Sequence, residues 1–563
     1  MTDAGARWLR CGTVLLALSA LWALMTLWDF GLPGLYLDEV NHYAFIPGVL
    51  SEEAARLPHY RLPDNWLDLA DGTRRYPILG GTIYNTVLRT YLALPFFLVT
   101  GFSVEGLRIF SALMGLAALL ASASLVGRVF GWLPALLFGV VIALDPTNVF
   151  SLRAQGGLFW LLILFASIAG HALLVAWQQR AQPPWWTAIV AGASIALAVA
   201  SYFVGAFVAL PLVICGIVVY RRHPWRLVAF LVAGIVAYAP VIYSLVSIYL
   251  HSPQRLANFG HPSLVKERLP MFAPDNVARV IGRLQRAWGT YGFAGNVVGR
   301  KFPEFAPWRA AALLIAAAGW LWVVARGRLG GLRGTFLAII AIVCVTYVFA
   351  MLRLGSLNLH HLVPFVVFLV MAVCCLVAFP GVPRVAGALA VALLVTTNAV
   401  AMTGAHTRLR ETGGHRFHNE AYTLPASMMT MAYPDHYPVF AGWGFHLQFL
   451  FLTRGERPYT FMRKPVTERI ERLQARHGKL AVFVDRSHRS AFLKDFKPES
   501  EVRIRQRSGH YLYSIMFLAE DAGEADRPGK RPRPAKRAQR PEANGRSDTA
   551  PRPASPPAPS GAG

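Results

Sequence analysis

Two adjacent carboxylates, Asp38 and Glu39, follow directly on an apolar stretch at 13–30. Acids at the end of a membrane helix are costly unless they are solvated, paired or useful. A carboxylate there can accept a proton as a base, and a second one beside it tends to raise the proton affinity of the pair. Three further groups share this character. Arg108 stands in Gly106-Leu107-Arg108-Ile109-Phe110-Ser111, and Asp145-Pro146-Thr147-Asn148 leads into Ser151-Leu152-Arg153. His360 and His361 lie in Asn358-Leu359-His360-His361-Leu362-Val363-Pro364. Arginine and histidine near carboxylates can hold an anion. Each group also has a structural reading: Arg108 snorkels to headgroups, Asp145 caps a helix beside Pro146, and the histidines mark the interface.

Membrane helices must position these residues. The 563-residue chain is 55% hydrophobic and only 15% charged, more apolar surface than one soluble core can hide. Segments near 13–30, 106–126, 132–148, 157–177, 186–200, 203–220, 226–250, 308–325, 334–352, 361–379 and 384–404 are apolar enough to span. That predicts a polytopic α-helical protein of about eleven transmembrane helices, with tilt or ragged ends for the shorter ones. Trp28-Asp29-Phe30 follows the first segment where a cleavage site would need small residues, so it reads as a retained helix. Arg7 and Arg10, Arg128, Arg180, Arg221 to Arg226, Arg326/Arg328/Arg333 and Arg384 fall in every second loop. This positive-inside alternation predicts a cytoplasmic N-terminus, with 31–105, 251–307 and the chain beyond 405 outside. Asp38, Asp145, Arg153 and the histidine pair then share the outer face.

Composition also excludes some roles. The five cysteines, Cys11, Cys215, Cys344, Cys374 and Cys375, lie in or beside apolar segments, so no disulfide framework is implied. Much of the net charge of +25 is inside-loop arginine and a basic tail; no nucleic-acid motif accompanies it, so no nucleic-acid partner is expected.

The chain divides into a membrane module at 1–404, a soluble region at 405–518 and a tail at 519–563. Within the first external connection, 83–100 carries Asn85 and Arg89. Counting it as a span would invert every later loop, so it reads as an interfacial helix. In 405–518, strands at 438–443 and 479–485, a helix at 466–477 and a hairpin around Ser508-Gly509 predict an extracytoplasmic α/β domain. The tail is rich in Pro, Ala, Arg and Gly and is expected to be disordered, its Arg527–Arg540 basic run either close to anionic lipid or solvated with no specific role.

Taken together, these pieces resemble the GT-C fold glycosyltransferases, in the group that holds protein O-mannosyltransferases and the lipid A aminoarabinose transferase. The resemblance is strongest over 13–180: an Asp-Glu pair after the first helix, Tyr76-Pro77-Ile78-Leu79, an arginine-bearing Ser-Ala-Leu-x-Gly helix, and the turn Gly127-Arg128-Val129-Phe130-Gly131. Tyr437-Pro438-Val439-Phe440-Ala441-Gly442-Trp443-Gly444 also looks like the first strand of the external domain many members carry. Members commonly have His-Pro where this chain has Tyr76-Pro77, so no role of that histidine carries over.

The resemblance implies a membrane glycosyltransferase using a polyprenyl-phosphate sugar donor and a protein, lipid or glycan acceptor at the outer face of a bacterial inner membrane. It implies Asp38 as the base on the acceptor hydroxyl, with Glu39 orienting the acceptor or balancing charge and Asp145 partnering Asp38. The two aspartates then flank a hydroxyl or share a divalent cation. Arg108, Arg153, His360 and His361 are the expected donor-phosphate ligands, with Arg300-Lys301 from above. A transporter or flippase for an anionic or lipid-linked substrate, a polymerase or ligase of lipid-linked glycans, and a non-catalytic scaffold are the competing classes. Against a transporter, the charged residues collect at outer helix ends and no paired interrupted helices are visible.

Overall fold

The computed structural model describes residues 3–41, 43–50, 66–68, 75–79, 86–251, 270–354, 357–442 and 444–519. The expected disordered tail, Trp443, Asn85 and parts of the two long connections lie outside the described residues.

Helix α1, Asp3–Leu27, is followed by the short turns α2, Leu37–Val40, and α3, Phe45–Leu50. A strand pair, β1 (Trp66–Asp68) and β2 (Arg75–Pro77), sets Leu67 opposite Tyr76. Then come α4 (Leu88–Thr100), α5 (Val104–Phe130), α6 (Trp132–Leu144), α7 (Pro146–Gln155) and α8 (Leu158–Gln178). They are followed by α9 (Trp185–Ser201), α10 (Gly205–Tyr220), α11 (Pro224–His251), α12 (Pro274–Gly289) and α13 (Gly292–Val298). The membrane module ends with α14 (Ala306–Ala325), α15 (Gly331–Leu354), α16 (Val363–Cys375) and α17 (Val382–Thr412).

Among the described residues, seven helices are long and apolar enough to cross a membrane, or eight if the bent pair α6–α7 is one span. The first, ninth and tenth helices are shorter apolar helices, which is where the count of eleven read from hydropathy exceeds the count by length. Helix α4 has thirteen residues and so reaches about 20 Å, less than a hydrocarbon core. It buries Arg89, Thr90, Ala93 and Phe97 along one side.

Without a hydrophobic driving force between helices in lipid, close approach depends on small residues. Gly115 of α5 is such a point: a Cβ there would lie 2.5 Å from Cζ2 of Trp22 and 2.9 Å from Cδ2 of Leu152. Trp22 Nε1 also donates to Ala112 O at 2.9 Å, locking α1 against α5. The α6–α7 break is a bend of 59° with a local cause. Asp145 is extended (φ −77°, ψ 117°) before Pro146, and its carboxylate caps α7 through Thr147 N at 2.8 Å.

Beyond α17 a five-stranded sheet runs in the order β4-β3-β5-β7-β6, from β3 (Tyr437–Ala441), β4 (Thr460–Met462), β5 (Leu480–Asp485), β6 (Ser500–Arg505) and β7 (Tyr511–Leu518). β3 pairs in parallel with β4 and β5, and β7 pairs antiparallel with β5 and β6. Helices α18 (His446–Leu452), α19 (Thr467–His477) and α20 (Arg489–Asp495) complete it. The two-residue period of β5 serves two cores. Ala481 and Phe483 join a cluster with Phe440, Phe445 and Tyr513 that extends to Leu35, Val40, Phe97 and Phe110 of the membrane module. Val482 and Val484 face Ile470 and Phe492 on the other side. The sheet is thus packed onto the end of the bundle where Asp38 lies.

Candidate active site

Helix α1 stops at Leu27, and the chain between it and α2 must satisfy its exposed carbonyls. Two buried arginines do this. Arg153 donates to Asp29 O at 3.3 Å, Leu32 O at 3.0 Å, Thr26 O at 3.0 Å and Trp28 O. Arg108 donates to Phe30 O, Leu32 O, Pro33 O and Gly34 O at 3.1–3.3 Å. It also pairs with Glu39 through Nε at 2.6 Å and Nη2 at 3.1 Å. Both members of that pair are buried. The Glu39 carboxylate accepts from Tyr36 N at 3.2 Å as well, which closes the first turn of α2.

One residue back, Asp38 points elsewhere. It is half-buried and hydrogen-bonds to the side chains of Gln155 and Tyr36, with Arg89 as its nearby cation. Burial pushes the Asp38 carboxyl up, while the bonds from Gln155 and Tyr36 and the charge of Arg89 oppose that shift. Arg89 in turn holds the end of α7, donating from Nη1 to Gln155 O at 2.6 Å and Gly156 O at 2.9 Å. Tyr43 OH donates to the same Gly156 carbonyl at 2.5 Å. Gly156 has φ +54°, and a Cβ there would sit 2.7 Å from the Tyr43 ring, so this turn needs glycine.

Tyr36 and Gln155, the two partners of Asp38, line a polar cavity of about 410 Å³. Its other walls come from Arg283 and Arg286 of α12, Asn296 of α13, His360 and His418. Arg283 Nη1 donates to Leu357 O at 3.1 Å, and the exposed Arg286 uses Nε on its own helix at Gly282 O, 3.2 Å away. The His418 ring lies 4.0 Å from that of Tyr36, and its buried Nδ1 has no hydrogen-bond partner among the described residues. Burial pushes the His418 imidazole down to about 3, helped by His415, Arg108 and His360, so the ring is neutral at pH 7.

The sequence-derived residues therefore separate. His360 borders the cavity, and Asp38 is bonded to two of its lining residues, Tyr36 and Gln155. His361 is buried, accepts from Asn358 N at Nδ1 (3.0 Å) and packs against Tyr202 and Phe203. Glu39 balances the charge of Arg108 rather than meeting an acceptor, and Arg108 and Arg153 are engaged in protein contacts, which differs from their expected phosphate roles. Arg300 pairs with Glu304 at the surface.

Asp145 departs furthest from its expected partnership with Asp38. Its Oδ2 accepts from buried Arg309 at 3.2 Å, and Arg309 also reaches Asn398 Oδ1 at 2.5 Å, which in turn accepts from Tyr291 OH at 2.7 Å. Asp145 caps one end of the ten-residue α7, whereas Gln155, the partner of Asp38, ends it. About 15 Å of helix separates those ends, too far for one hydroxyl or one cation with ligands about 2.5 Å away. Among the described residues no group of three or more His, Cys, Asp or Glu side chains could hold a metal ion.

Tyr36, Gln155, Arg283, Arg286, Arg309 and His418 were not singled out from the sequence, and Arg89 was weighed only for the placement of 83–100. A signal existed for α12: Arg279, Arg283 and Arg286 recur at helical spacing opposite Val280, Ala287 and Trp288.

No family model matches the sequence, and no curated protein sequence matches it. Among solved structures, ArnT from Cupriavidus metallidurans bound to undecaprenyl phosphate is similar over 91% of this chain and 98% of that one, at 14% identity and TM-score 0.54. Its apo state gives 13% identity at the same coverage and TM-score. The Archaeoglobus fulgidus oligosaccharyltransferase in its apo form covers 84% and 69% of the two chains at 15% identity and TM-score 0.44. This multi-pass membrane protein thus has the fold of ArnT, a GT-C fold with a small sheet domain at the C-terminal end.

Proposed function

We propose that the protein is an integral membrane glycosyltransferase that moves a sugar from a polyprenyl-phosphate donor to an acceptor hydroxyl at the outer face of a bacterial inner membrane. One observation carries the reading: a carboxylate, Asp38, hydrogen-bonds to Tyr36 and Gln155, and these two residues line a cavity that Arg283 and Arg286 also line. A fold shared with a protein that binds undecaprenyl phosphate supports that donor class. Loop arginines support a cytoplasmic N-terminus.

The chemistry needs little more. Asp38 takes the proton of the acceptor hydroxyl as its oxygen bonds to sugar C1, and the C1–O bond to phosphate breaks with its electron pair. The leaving polyprenyl phosphate departs as an anion, so cations rather than a strong acid are required on that side. Arg283 and Arg286 are placed to supply them. Attack opposite the leaving group inverts the anomeric centre.

The test is transfer of label from radiolabelled polyprenyl-phosphate sugars in membranes containing the full-length protein. Asp38→Asn should lower transfer by roughly 10²–10⁴-fold, the usual worth of a positioned base, with little change in melting temperature. Full transfer by Asp38→Asn would remove Asp38 as the base, and no transfer from any donor to any acceptor would favour a transporter.

A further inference from the structure

A second cavity, of about 670 Å³, opens where α4 turns into α5. Leu50, Leu98 and Val99 on one wall are 46%, 62% and 87% exposed. Aliphatic side chains this open, at the start of a membrane-spanning helix, sit more favourably in hydrocarbon than in water. The opposite wall is the turn Arg454-Gly455-Glu456, which follows α18 in the sheet domain. Arg454 lies over the Phe102 ring, 5.9 Å from its centroid. Among the described residues neither Arg454 nor Glu456 has an ion pair, and both are exposed.

An apolar trough with one cation and one anion at its rim is complementary to a lipid whose head carries both charges. We propose that this cavity holds a zwitterionic aminophospholipid of the surrounding bilayer, phosphate at Arg454, ammonium at Glu456 and acyl chains along Leu98 and Val99. A guanidinium matches phosphate geometry, and a primary ammonium donates hydrogen bonds to a carboxylate. A head lacking the ammonium leaves Glu456 facing an anion, and a trimethylated one cannot donate.

The lipid braces a route to the first cavity. Phe97 and Phe102, both in its lining, pack edge-on against Phe451 at 5.3 Å. Phe451 shares α18 with Gln448, whose Nε2 donates to Leu35 O at 3.2 Å, next to Tyr36.

The experiment purifies the full-length protein from bilayers of equal phosphatidylethanolamine, phosphatidylglycerol and phosphatidylcholine and counts retained lipid by native mass spectrometry. No sugar transfer enters the measurement, so it stands or falls apart from the proposed reaction. The expected result is one phosphatidylethanolamine retained per chain in preference to the other two. Arg454→Ala should lower retention by about tenfold, the scale of one charge-assisted hydrogen bond. Glu456→Gln should erase the preference over phosphatidylglycerol, and Val99→Asp should lower retention of every lipid. Both rim residues are exposed on a turn, so unchanged melting temperatures will show intact folds. Equal retention of the three lipids by the unaltered protein, or undiminished phosphatidylethanolamine on Arg454→Ala, overturns the proposal.

Discussion

The two walls of the Asp38 cavity use arginine in opposite ways. Beneath Asp38, Arg108 and Arg153 are buried and directed at backbone carbonyls of 26–34. Across the cavity, Arg283 and Arg286 stand on an amphipathic helix and line open space. The first pair are struts and the second pair are clamps. What decides the role is the neighbourhood: a helix end in an apolar setting leaves carbonyls that require donors, and one guanidinium offers five. Adjacent carboxylates divide the same way, Glu39 neutralising a strut and Asp38 bonded to the cavity residues Tyr36 and Gln155.

Glu39→Gln separates strut from clamp most directly. It leaves Arg108 charged and without its carboxylate in a buried site, where losing one partner of an ion pair costs about 3–5 kcal/mol. Unfolding in detergent, followed by denaturant titration, should show that loss, while Arg283→Ala should stay within about 1 kcal/mol of the unaltered protein. A Glu39→Gln protein of normal stability that transfers no sugar would move Glu39 from the scaffold into the chemistry.

That outcome also bears on how much the sequence reveals. Hydropathy located the helices, and their ends marked Asp38, Arg108, Arg153 and His360 as lying at one depth. Depth says nothing about direction. In the four-residue α2, one step of sequence turns a side chain by about 100°, enough to part Asp38 from Glu39. The Asp145–Asp38 partnership failed for a related reason: both were assigned to one face, while the length of α7 that separates them depends on where Pro146 breaks the span. The basic spacing of α12 was readable but lay in a connection taken as loop. Contacts such as Gln448 to Leu35, 413 residues apart, have no local signature at all.

The clamp side is tested by donor kinetics. Arg283→Ala and Arg286→Ala should each raise the donor KM and lower kcat, cutting kcat/KM by about 10- to 100-fold, as for loss of one hydrogen bond to a charged group that gains charge in the reaction. Arg283 carries the additional bond to Leu357 O, so its loss should be the larger of the two. An unchanged donor kcat/KM in both variants would end the distinction between strut and clamp.

The smallest expected effect concerns His418, which joins the cavity from the segment after α17. Its folded-state proton affinity lies below its ordinary value of 6.5, at about 3, because burial disfavours the charged ring. The neutral form therefore belongs to the folded state, and the unfolded chain binds the extra proton. Stability is complete above about pH 6.5 and declines as pH falls from there toward 3. Asp38 acts with the opposite sign, since burial pushes its carboxyl up and the folded state then favours its protonated form. Melting temperature measured between about pH 7.5 and pH 5 should consequently fall in the unaltered protein and fall less steeply in His418→Gln. The same acid slope in both would show that another group sets it and that the ring is a passive part of the wall.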